Sequence, residues 1–111
     1  MKIAIIGSRG VKPFDIGEYL PEGVTEIVSG GAKGVDSYAE EYANRNGIAV
    51  KVFLPEYEKY GKGAPLKRNL EIINYSDIVF AFWDGKSRGT KFVIDKCKAL
   101  GKRVEIYYIE K

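Results

Sequence analysis

Apolar residues along this chain fall into short blocks of two kinds, continuous runs and helically spaced stripes, and the two kinds alternate. The run Lys2 to Ile6 ends at Gly7 and predicts a strand covered on both faces. Thr25 to Val28 predicts a second strand and Ile48 to Leu54 a third, stopped by Pro55. Asp77 opens a fourth, Ile78 to Phe82, and Arg103 to Ile109 alternates as an edge strand does, with Val104, Ile106 and Tyr108 on one side. Between them, Tyr38, Ala39, Tyr42 and Ala43 recur at helical spacing, Glu41 and Arg45 stand four apart, and Gly47 is a stop, which predicts a helix over Asp36 to Asn46. Pro65 suits the first turn of the next helix, with Leu66, Leu70 and Ile73 as its core face. Val93, Cys97 and Leu100 mark the core face of the last helix, before Gly101. Pro13 to Leu20 predicts a short helix weakened by Gly17, ahead of the turn Pro21-Glu22-Gly23, and Glu56 to Ala64 predicts a loop.

Five strand signals separated by helices imply right-handed crossovers and a parallel sheet with helices on both faces, an α/β Rossmann-like doubly wound layout. The chain of 111 residues has no repeat, low-complexity tract or linker, so the expectation is one domain over residues 1–111. In such sheets ligands bind outside the carboxyl ends of the strands, where strand order reverses. Gly7-Ser8-Arg9, Ser29 to Asp36 and Trp83 to Thr90 all follow strands, so a parallel sheet carries all three loops to one edge.

Composition narrows the chemistry. There is no histidine and one cysteine, Cys97, which removes an internal disulfide, the usual zinc constellations and any Ser-His-Asp or Cys-His arrangement; no cofactor or metal is implied. No apolar run nears the roughly 18 residues of a membrane helix, and Met1 to Gly7 is too short for a signal peptide, so no membrane partner and a cytoplasmic location are expected. The net charge of +3 permits an anionic small molecule and falls short of the dense basic stripe that nucleic acid calls for.

The richest candidate is the turn Ser29-Gly30-Gly31-Ala32-Lys33-Gly34-Val35-Asp36, which delivers a strand to a helix start. Three glycines in five residues allow a sharp fold and close approach to backbone N–H groups, which favour phosphate together with the helix N-terminus; Lys33 and Arg9 would add cations. Asp36 is equally an N-cap and a ribose or base contact. Asp84 can hold its own turn, with Gly85 inside it, while Ser87, Gly89 and Thr90 offer donors at the last helix's start. Neither Gly-x-Gly-x-x-Gly in the first loop nor a Walker-type Gly-Lys-Ser/Thr is present, so neither a standard NAD site nor an ATPase is indicated.

Gly7-Ser8-Arg9, Ser29 to Asp36 followed by Ala39-Glu40-Glu41, Tyr60-Gly61-Lys62 with Arg68-Asn69, Ser76-Asp77 and Gly89-Thr90 together resemble the SLOG superfamily. The likeness is to its small stand-alone YspA/YpsA-related members, relatives of the DNA-processing protein DprA and of the LOG phosphoribohydrolases, and it covers nearly the whole chain. It implies a Rossmann-like domain that binds a nucleotide or nucleotide-derived ligand, as a sensor or binding module, and it places Arg68 and Asn69 at the pocket. Relatives often self-associate, so a homo-oligomer is a further expectation, and a DprA-like single-strand nucleic-acid module is an alternative. The LOG enzymes carry Pro-Gly-Gly-x-Gly-Thr-x-x-Glu, whose glutamate serves ribosyl transfer; here that place is Val93, which cannot stabilise an oxocarbenium charge or activate water. The resemblance therefore implies binding before catalysis.

Overall fold

The computed structural model describes residues 1–109. Five strands, β1 (Lys2–Gly7), β2 (Glu26–Ser29), β3 (Ala49–Val52), β4 (Ile78–Trp83) and β5 (Val104–Tyr108), pair in parallel in the order β3-β2-β1-β4-β5. This is a Rossmann-like doubly wound sheet. The order reverses between β1 and β4, whose outgoing chains leave in opposite directions.

Period-two alternation sorts the strand residues between two layers. Ile3, Ile5, Ile27, Ile78, Phe80 and Phe82 pack with helix α1 (Val35–Arg45) through Val35, Ala39 and Ala43. Ala4, Ile6, Val28, Val79 and Ala81 face the other way, onto α3 (Ala64–Tyr75) through Ile72 and Ile73 and onto α4 (Arg88–Leu100) through Val93, Ile94 and Cys97. Burial of each such isoleucine or phenylalanine contributes about 1.5–3 kcal/mol, so β1 and β4, apolar on both faces, are the centre of the fold.

Several sequence expectations need correction. Pro13–Leu20 is not a helix: only a 3₁₀ turn forms, Ile16–Glu18, with the Gly17 N–H donating to Asp15 Oδ1 at 3.0 Å. A Cβ on Gly17 would lie 2.8 Å from the Tyr42 ring, so this segment lies flat on α1, and its Val11 and Ile16 reach the core without helical spacing. The expected loop Glu56–Ala64 instead holds a single helical turn, α2 (Tyr57–Tyr60), and a 3₁₀ turn, Gly61–Gly63, that runs straight into α3. β3 is shorter than Ile48–Leu54. Leu66 is 46% exposed and Leu100 59%: Leu66 turns toward the strand ends, and Leu100 is the terminal residue of α4, beside left-handed Gly101. On β5, Val104 and Ile106 pack on the layer with α3 and α4 and Tyr107 packs on the other, stacked on Phe82 with ring centroids 5.3 Å apart, whereas Tyr108 is 72% exposed. Among the described residues no helix is long and apolar enough to cross a membrane.

Candidate functional site

At the carboxyl end of β1, Gly7 has no room for a side chain: a Cβ would stand 2.6 Å from both the Phe82 carbonyl oxygen and the Val35 methyl. Ser8 follows, fully inside. Its N–H donates to Phe82 O at 3.1 Å and its Oγ accepts from the Asp84 N–H at 3.2 Å, which ties the loop after β1 to the loop after β4 across the point of reversal. Arg9 emerges from that tie, and its carbonyl would be 2.6 Å from a Cβ on Gly34, whose φ is +79°. Only glycine meets both demands.

The loop after β2 is held by its own polar groups. Ser29 Oγ donates to Glu40 Oε2 at 2.9 Å and accepts from the Gly31 N–H at 3.1 Å. The Ala32 N–H donates to Asp36 Oδ2 at 3.1 Å. Arg68, from α3, donates through Nη1 to Gly30 O at 2.5 Å and through Nε to Asn69 Oδ1 at 2.8 Å, so its flat guanidinium braces the loop against the helix. Burial pushes the Asp36 carboxyl up to about 6; the Ala32 N–H and the Arg68 charge oppose the rise and Glu40 adds to it. Burial also lowers the Arg68 guanidinium from its ordinary value, against the raising effect of Asp36.

After β4, Asp84 Oδ1 accepts from the Lys86 and Ser87 N–H groups, both at 2.8 Å, and Trp83 Nε1 donates to Ser87 O at 3.0 Å. These bonds set the start of α4. Ser87 makes no side-chain cap and its Oγ instead donates to Thr90 Oγ1 at 3.4 Å, so the first-turn N–H groups of α4 have no protein cap.

The three loops and α3 enclose one cleft of about 470 Å³. Of the candidates read from sequence, Gly7, Ser8, Arg9, Gly30, Asp36, Arg68, Asn69, Ser87, Gly89 and Thr90 line it. Gly31, Lys33, Gly34, Asp84 and Gly85 do not. Gly31 and Gly34 shape their turn with positive φ, Gly85 does the same after β4, Lys33 is exposed, and Asp84 holds the α4 approach from behind. Sequence reasoning missed the apolar lining: Ile6, Ile72 and Val93 at the floor, and Pro65 and Leu66 at the mouth. A signal existed for part of it, since residues 65, 66, 69 and 72 recur at spacings of three and four and fall on one stripe of α3.

The charge balance follows from the same layout. α1, α3 and α4 all begin at the cleft, through Asp36, Pro65 and Gly89, and each helix start carries about half a positive charge. Two guanidiniums, Arg9 and Arg68, add to these against the one carboxyl of Asp36. The cleft is an electropositive rim over an apolar floor. Comparison of the chain with family models, with curated proteins and with solved structures finds no match.

Proposed function

We propose that this cleft binds a nucleotide or nucleotide-derived small molecule, in keeping with the resemblance of its loops to the SLOG superfamily. The observation that carries the reading is the convergence of three helix N-termini and two guanidiniums on a cavity whose floor is apolar. The polar rim suits phosphate. The apolar floor suits a sugar face or a heterocycle, and the volume lies within the roughly 300–1,000 Å³ of small-molecule pockets.

Binding without glycosidic cleavage is the favoured form of this function. Val93, at the place of the LOG glutamate, is buried in the floor, and the nearest following carboxylate, Asp95, is exposed and ion-paired to Lys91 at 2.7 Å. Isothermal titration with nucleoside mono- and diphosphates, cyclic nucleotides and ADP-ribose tests the reading. Saturable binding of at least one, weakened by Arg9→Ala and by Arg68→Ala, is expected, as is survival of nucleoside monophosphates without release of free base. Absence of binding across the panel at millimolar ligand would refute it.

A further inference from the structure

A buried carboxyl is an odd wall for a cleft built to hold an anion. Asp36 is 7% exposed and lines that cleft, and its Oδ2 is already held by the Ala32 N–H. Around it stand Arg68 from α3, Glu40 one turn further along α1, and the backbone of Gly30 and Ala32; Arg9, from the loop after β1, shares the cleft and faces Arg68. Among the described residues no ion pair within 4 Å joins Arg68 to Asp36; Arg68 Nη1 and Nε donate to Gly30 O and Asn69 Oδ1, and its charge reaches Asp36 only across space. Bringing a second negative charge into the same low-dielectric space sets two like charges side by side, and such a pair is relieved when one of them takes a proton.

We infer that the cleft takes up a proton together with its anion, and that the Asp36 carboxyl is where that proton goes. The inference rests on the anion-binding reading above and adds a regulation to it: occupancy rises as pH falls. The proton leaves solvent and forms an O–H on Asp36, with no other bond made or broken. The carboxyl is already poised for this, since burial has brought its titration to about 6. If the bound anion raises that value by about one unit, close to half a proton is taken up per anion near pH 6.5, and affinity is roughly eightfold higher at pH 5 than at pH 8. By reciprocity, the proton favours the anion as much as the anion favours the proton.

Inorganic sulfate is the probe, because it stays a dianion across this range whereas phosphate esters themselves titrate. Calorimetric titration of the full chain with sulfate at about pH 6.5, in buffers of different ionisation enthalpy, reads proton uptake directly and needs no variant. Uptake of about half a proton and tighter binding at acid pH are expected. Asp36→Asn should bind at pH 8 as the unmodified protein does at pH 5, with no uptake. Glu40→Gln should keep the uptake and move its midpoint to lower pH, since Glu40 helps hold the Asp36 value up. Sulfate binding with no pH dependence and no uptake overturns this inference and leaves the anion site standing. No sulfate binding at either pH removes the anion site, and this inference with it.

Discussion

Replacing Asp36 by asparagine is expected to make the protein more stable at neutral pH. The carboxyl titrates at about 6 in the folded chain instead of 3.8, because burial disfavours its charged form by more than the Ala32 N–H and the Arg68 guanidinium favour it. In the unfolded chain the ordinary value returns. Between the two values the folded protein keeps a proton that the unfolded chain has released, so stability falls as pH rises through this window. The Asp36 contribution is complete below about pH 4 and lost above about pH 6. A gap of about two units corresponds to about 3 kcal/mol at neutral pH, at about 1.4 kcal/mol per unit. Asparagine keeps an oxygen for the Ala32 N–H and has no charge to bury, so most of that gap should be regained: about 2 kcal/mol at pH 8, or roughly 10 °C in Tm for a domain of this size. Urea unfolding followed by circular dichroism from about pH 4 to pH 8 is the assay. The difference between variant and unmodified protein should grow from near zero to a plateau as pH rises. A variant less stable at pH 8, or a difference that does not change with pH, would show that ionised Asp36 is favourably paired and would refute the reasoning.

Arg68→Lys should lower stability by about 1–2 kcal/mol in urea unfolding and weaken nucleotide binding, because an ammonium cannot reproduce the two fixed bonds to Gly30 O and Asn69 Oδ1. Gly34→Ala should destabilise by more than about 1 kcal/mol, since its φ is +79° and the new methyl would meet Arg9 O at 2.6 Å. Gly89→Ala should do the opposite, raising Tm through helix propensity of about 0.5–1 kcal/mol while raising the nucleotide Kd by about tenfold, because its methyl meets no protein atom within 4 Å and lines the cleft. Cys97 is fully buried and burial pushes its thiol up to about 11, so a thiol reagent at about pH 8 should label it only as fast as the chain unfolds.

Strand identity was legible because β1 and β4 are buried on both faces and so must be apolar throughout, a pattern no surface element imitates. Helix faces were legible wherever the stripe met the sheet, at Ala39 and Ala43 or Val93 and Cys97. The pattern misled where an apolar residue serves something other than the core. Leu66 continues the α3 pattern in sequence yet faces the cleft mouth. Tyr107 and Tyr108 are alike in sequence, and only the sheet edge decides that one stacks on Phe82 and the other is exposed. The short helix expected over Pro13–Leu20 is absent because this part of the chain packs with a single 3₁₀ turn and otherwise irregular backbone, and side chains such as Val11 and Ile16 enter the core one at a time.

The glycines show why a site read from sequence mixes two kinds of residue. Gly7 and Gly34 sit where neighbouring groups leave no room, Phe82 O and Val35 for Gly7 and Arg9 O for Gly34, while Gly31 takes a φ of +71° that a side chain rarely adopts. Gly89 sits where nothing crowds it at all, and Gly30 lies between, with Arg68 and Asp36 as the groups a Cβ would meet. A missing Cβ serves tight packing and ligand approach equally well, so spacing alone cannot tell them apart. The neighbour tells them apart. A methyl at Gly34 is opposed by the protein's own backbone and therefore costs stability, whereas a methyl at Gly89 is opposed only by whatever enters the cleft and therefore costs affinity. The glycines thus fall into two separable parts: a packed turn that fixes where Arg9 leaves the sheet, and an open lip at the start of α4 that lines the cleft.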